Sequence, residues 1–111
     1  MTGQIKVVSK RNLSAELGWV DFYVGRPNRL GNPFPMKSEG DRTQVIADYR
    51  VWLWQQIKSQ NLQTLTELNK IVTLVQSGKN VRLVCWCAPS TCHADVIKRC
   101  VEWIMSHSKS I

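Results

Sequence analysis

The chain has 111 residues, 15 of them Lys or Arg and 8 Asp or Glu, for a formal net charge of +7. That length suits one compact domain over residues 1–111. A hydrophobic share of 43% excludes a disordered chain, and no apolar run approaches the ~20 residues that cross a bilayer. Residues 4–11 mix charge with Ile5, Val7 and Val8, unlike a secretory leader. The expectation is a cytoplasmic protein with no membrane partner.

The first strand is expected at residues 5–8, a short β-branched run. Residues 12–18 read as a turn region. Residues 19–24 (WVDFYV) are β-branched and aromatic and read as a second strand. Residues 25–35 (GRPNRLGNPFP) hold three prolines, two glycines and two asparagines. They cannot continue as helix or central strand, so they form a long shaped loop. A helix is predicted over residues 41–58, with Asp41 and Gln44 as a capping box and Val45, Ile46, Tyr49, Trp52, Leu53 and Ile57 as its apolar face. A second helix is predicted from a box of Thr64 and Glu67, with Leu65, Leu68, Ile71, Val72 and Val75 inward and Gly78 as its stop. Residues 81–87 (VRLVCWC) read as a strand buried on both faces. A last helix, capped by Ser90 or Thr91, carries Ile97, Cys100, Val101, Ile104 and Met105 inward.

This order implies an α/β fold: a small Rossmann-like sandwich of two or three layers around a short, partly parallel sheet. A helical bundle leaves the run at residues 81–87 unexplained.

Charge is spread along the chain. Residues 1–50 hold eight basic and five acidic groups, and residues 51–111 seven and three. No run of like charge marks a dedicated nucleic-acid arm, so the basic balance reads either as an ordinary basic surface or as preparation for an anionic ligand, nucleotide or nucleic acid. The four cysteines, at 85, 87, 92 and 100, sit close together in sequence and read as reduced thiols rather than a disulfide frame.

The sharpest local signal is the stretch from Cys85 to Asp95, where a strand passes into a helix. Ligands of open α/β sheets bind beyond the carboxyl ends of strands. A helix start offers unpaired N–H groups and a positive dipole end. The spacing brings Cys87, Cys92 and His93 together near the surface, with Cys85 one step deeper. Three readings stand beside plain packing of small apolar thiols. Cys87, Cys92 and His93 hold a metal such as zinc, although this spacing is not a usual zinc-finger pattern. Alternatively, Cys92 or Cys87 is a reactive thiolate with His93 as its base. Or the helix start, through Ser90 and Thr91, binds phosphate or another anion. Packing suits Cys85 and Cys100 best.

The loop at residues 25–35 is the second candidate. Arg26 and Arg29 make forked hydrogen bonds to phosphate or carboxylate. Gly25 and Gly31 let a ligand approach the backbone, and Asn32 both donates and accepts. Among the tryptophans, Trp19, Trp52, Trp86 and Trp103 are expected in the core. Trp54, beside the apolar stripe, is expected to be more exposed and able to stack on a base.

Tyr23-Val24-Gly25-Arg26-Pro27, Leu30-Gly31-Asn32-Pro33-Phe34, Tyr49-Arg50 with Trp52-Leu53, and Cys85-Trp86-Cys87 with Pro89, Cys92, His93, Ala94 and Asp95 stand in one order along residues 19–100. In these motifs the chain resembles the family known as domain of unknown function 4326, of bacteria, their phages and some other viruses. The resemblance implies that the loop and the Cys/His turn form one site; it implies no reaction. The leading expectation is a small basic domain binding a nucleotide-like or nucleic-acid phosphate ligand. Gly25, Arg26, Arg29, Gly31, Asn32, Ser90 and Thr91 would contact it, and any chemistry would fall to Cys92, His93 or Asp95. The alternatives are a zinc-binding or thiol-redox domain and a phage-type module that binds another protein.

Overall fold

A computed structural model describes residues 2–34, 37–86 and 92–108. Three strands, β1 (Ile5–Ser9), β2 (Trp19–Tyr23) and β3 (Asn80–Cys85), form a sheet in the order β1-β3-β2. Both outer strands run parallel to β3. Three helices complete the fold: α1 (Arg42–Lys58), α2 (Leu62–Gln76) and α3 (His93–Ser108). The protein is therefore a small α/β sandwich, with a sheet parallel throughout. Among the described residues no helix is long and apolar enough to cross a membrane.

The centre of the sheet explains the apolar run in β3. Val81, Leu83 and Cys85 are wholly buried and pack in one core with Tyr49 and Leu53 of α1, Leu68, Ile71 and Val75 of α2, and Ile97, Cys100 and Val101 of α3. The opposite parity of β3 carries Arg82, which pairs in register with Asp21. Its guanidinium donates to both Asp21 oxygens at 2.6 and 2.9 Å and to the Ser14 carbonyl at 2.9 Å. A buried cation is tolerated because its donors are met. Residues 10–18 supply part of that partner set, through a 3-10 turn at Lys10–Asn12 and a turn at Gly18, whose φ of +85° favours glycine.

Several local expectations differ from the structure. β2 ends at Tyr23, although Val24 N–H still donates to the Val84 carbonyl. β3 runs from Asn80 to Cys85, and Cys87 lies outside the described residues, as do Ser90 and Thr91. Asp41 makes no side-chain cap. Its helical backbone, φ −84° and ψ −10°, is not the extended conformation of a capping residue. A 3-10 turn at Glu39–Asp41 leads into α1 instead, and Gln44 donates to Asp48. The second helix begins earlier than its Thr64–Glu67 signal. Asn61 is the cap, its side chain accepting from Thr64 N–H at 3.0 Å. Glu67 turns outward to Asn28 and Lys70. Gly78, with φ +96°, does end α2.

Thr64 is wholly buried, and its hydroxyl oxygen has no hydrogen-bond partner among the described residues. An unsatisfied buried polar atom is costly, whereas an apolar group of the same shape is not. Thr64→Val is expected to stabilise the fold by about 1 kcal/mol. The check is a higher urea midpoint at unchanged denaturant slope.

Two tryptophans expected in the core are largely exposed, Trp86 at 48% and Trp103 at 46%. Trp86 follows Cys85 directly, so strand alternation turns it away from the helices. Trp103 packs edge-on against Trp54, at 5.1 Å between ring centres, which leaves Trp54 half-buried.

Candidate functional site

The carboxyl ends of β2 and β3 open on a cleft of about 340 Å³, within the range of small-molecule sites. Four pieces of chain wall it. The loop after β2 contributes Gly25, Arg26, Asn32 and Phe34. The first turns of α1 contribute Arg42, Val45 and Ile46. Cys92 and His93 come from the start of α3, and Tyr23 and Trp86 from the strand ends. The proline-rich loop and the Cys/His turn therefore share one cavity, onto which the amino ends of two helices converge.

The loop is held by its own asparagines. Asn28 Oδ1 accepts from Leu30 N–H at 2.8 Å, while its amide donates to Glu67 at 2.9 Å. Asn32 Oδ1 accepts from Phe34 N–H at 2.9 Å. Gly31 is buried where a Cβ would press on the backbone of Asn28 and Arg26. It is thus a packing glycine rather than an opening for a ligand. Gly25 faces the Tyr23 ring in the same way. Below the loop, buried Tyr49 donates from its hydroxyl to the Leu30 carbonyl at 2.7 Å.

At the rim, Trp86 Nε1–H donates to the Tyr23 hydroxyl at 3.1 Å, which donates to the Arg26 carbonyl at 2.9 Å. This chain fixes the indole beside the Arg26 backbone. Lys10 lies over both rings, 4.8 Å from the centre of Tyr23 and 5.4 Å from that of Trp86. Arg42 is held by Glu39 through two hydrogen bonds, at 2.5 and 2.8 Å. Arg26 is exposed and forms no ion pair among the described residues.

Cys92 and His93 were expected near the surface, but both are buried, at 2% and 7% exposure. They end the helix. Cys92 occupies the cap position: its sulfur accepts from Ala94 N–H at 3.3 Å, and its own N–H donates to Asp95 Oδ2 at 2.9 Å. The reciprocal pattern is that of a capping box. Asp95 is thereby engaged by the backbone and does not line the cleft. His93 Nε2–H donates to the Val24 carbonyl at 2.8 Å, and its ring meets Tyr49 edge-on. A carbonyl only accepts, so Nε2 carries the proton and Nδ1 the lone pair.

Burial lowers the His93 pKa from its ordinary 6.5, and the Arg26 charge lowers it further. The Val24 hydrogen bond and Asp95 act the other way. The unfolded chain therefore binds this proton more readily than the folded one. The stabilising contribution is full above about pH 6.5 and is lost as pH falls through the folded value. Thermal unfolding from about pH 8 down to about pH 5 should show a falling midpoint. His93→Gln should flatten the part of that fall below 6.5.

Arg29 lies elsewhere. It lines a shallower depression of about 440 Å³ with Pro27, Leu62, Gln63, Thr66 and Glu67. Among the described residues no group of three His, Cys, Asp or Glu side chains is arranged to hold a metal ion. Cys87 of the alternative metal set lies outside those residues.

The sequence reading missed Tyr23, Trp86, Phe34 and Arg42 as cleft residues. Arg42 left a signal: a cation in the first turn opposes the helix dipole, and such a placement asks for a reason. Cys85, read as packing, lies 3.1 Å from Cys92, sulfur to sulfur.

Fold and cleft together define an α/β domain whose pocket lies where parallel strands end and helices begin. A family model, that of a domain of unknown function (DUF4326), matches residues 7–103, and the chain belongs to that family. No curated protein and no solved structure matches it.

Proposed function

We propose that the cleft binds a nucleotide, free or as one unit of a nucleic-acid strand. The observation that carries this reading is an exposed cation, Arg26, without an ion-pair partner among the described residues, in the same cavity as the Trp86 ring. A flat indole held by its own N–H stacks a base. A guanidinium at two helix amino ends suits a phosphate. Asn32 lines the cleft, and its amide would donate to a base or sugar oxygen. Inorganic anions lack a group that uses the aromatic wall.

Any chemistry falls to His93 before its neighbours. Its tautomer is fixed, it is neutral near pH 7, and it lines the cleft. Asp95 is bound to the helix cap, and Cys92 both caps and meets Cys85. The test is calorimetry with nucleoside monophosphates, inorganic phosphate and short single-stranded oligonucleotides. Binding of a nucleotide that weakens with salt and drops severalfold in Trp86→Ala supports the reading. Phosphate binding that matches nucleotide binding removes the role of the base. No binding by any probe overturns the reading altogether.

A further inference from the structure

Cys85 closes β3 with no exposure, and Cys92 caps α3. Their sulfurs lie 3.1 Å apart, and the two thiols play unequal parts. Cys92 lines the cleft, with 2% of its surface exposed. Its sulfur also accepts from Ala94 N–H at the start of α3. Cys85 sits behind it, away from the opening. A thiol that lines a cleft, with a second in contact behind it, is the arrangement that converts a first oxidation into a disulfide.

We propose that Cys92 and Cys85 form an oxidisable dithiol that takes a small peroxide through the cleft and closes to an intramolecular disulfide. The Cys92 thiolate attacks one peroxide oxygen, forming an S–O bond as the O–O bond breaks. The leaving hydroxide takes up a proton and departs as water. Cys85 then attacks the Cys92 sulfur; the S–S bond forms, the S–O bond breaks, and a second water leaves. Two thiols are oxidised and one peroxide is reduced to two waters. A small dithiol such as dithiothreitol returns the pair to thiols by exchange. Cys100 is the internal reference, since it lies in the helix core and burial pushes its thiol up to about 11. The proposal goes beyond the nucleotide reading and needs only the opening of the cleft.

The experiment exposes reduced, folded protein to hydrogen peroxide, alkylates it in denaturant and counts thiols by mass. Of the four cysteines, two are expected to become unavailable and to return on reduction. Tandem spectra of the wild-type peptides should show the label on Cys87 and Cys100 and none on Cys85 and Cys92. This readout holds even where a variant misfolds. Cys87→Ser should keep the reaction, and Cys92→Ser should abolish it. Cys85→Ser should stop at a sulfenic acid that dimedone traps. Loss at Cys92 should run roughly tenfold or more ahead of Cys100. Retention of all four thiols, a bond that includes Cys87, or equal rates at Cys92 and Cys100 would each overturn the proposal. A failure of nucleotide binding leaves these outcomes unchanged.

Discussion

Arg26→Ala is expected to weaken nucleotide binding roughly ten- to hundredfold, while changing stability by no more than about 0.5 kcal/mol. Hydrogen bonds to a charged group contribute about 1.5–3 kcal/mol, and each 1.4 kcal/mol is a factor of ten. Arg26 is exposed and forms no ion pair among the described residues, so the fold gains little from its guanidinium. Arg26→Lys should recover part of the loss, since an ammonium keeps the charge but not the fork. The salt dependence of binding should also become shallower. Arg29→Ala is the paired control. It changes net charge equally but lines the other depression, so affinity should hold. Equal losses at Arg26 and Arg29 in calorimetry would mean that general surface charge, not the cleft, attracts the ligand.

Tyr49→Phe is expected to act in the opposite sense, on stability before binding. Its hydroxyl donates to the Leu30 carbonyl at 2.7 Å, and both residues are wholly buried. Burial raises the Tyr49 pKa above its ordinary 10.0, so this hydroxyl remains a protonated donor through the neutral range. Removing the donor strands a buried acceptor at a cost of about 1–3 kcal/mol. Tyr49→Ala adds a cavity beside Trp52 and His93 and should cost about 3–5 kcal/mol. Denaturant unfolding measures both. Leu30 stands between Arg26 and Asn32, so the Phe variant should also bind nucleotide severalfold more weakly at temperatures where it is folded. A Phe variant as stable as the parent would show that the Leu30 carbonyl finds another donor.

The elements were legible because their signals are local. The β-branched run at Ile5, the apolar stripe from Val45 to Ile57 and the glycine stop at Gly78 each depend on neighbours within a turn or two. Caps were less legible. Asp41 and Thr64 carry capping side chains, but the backbone of Asp41 is already helical and Asn61 took the cap of α2. Several residues within four positions can supply the same oxygen, and the entering chain decides among them. Trp86 shows a different failure. Its place in an apolar run suggested core, while its parity, opposite to Leu83 and Cys85, sent it to the rim of the cleft. Gly31 and Asn28 were legible as loop residues. That Asn28 ties the loop to Glu67 depends on α2, more than 30 residues away, whereas Gly31 meets the backbone of its own loop at Asn28 and Arg26.

By itself the sequence determined an α/β protein with a basic balance, a long shaped loop after the second strand and a Cys/His turn before the last helix. Those properties follow from periodicity, proline and glycine placement and charge, all encoded over short distances. Only the tertiary structure decided that the loop and the turn share one cavity. It also separated Arg29 from Arg26. These outcomes depend on strand order and on how two helix starts meet the ends of a parallel sheet. The shared cavity is set by packing between segments 60 or more residues apart, as in the His93 to Val24 hydrogen bond, and no local pattern records it.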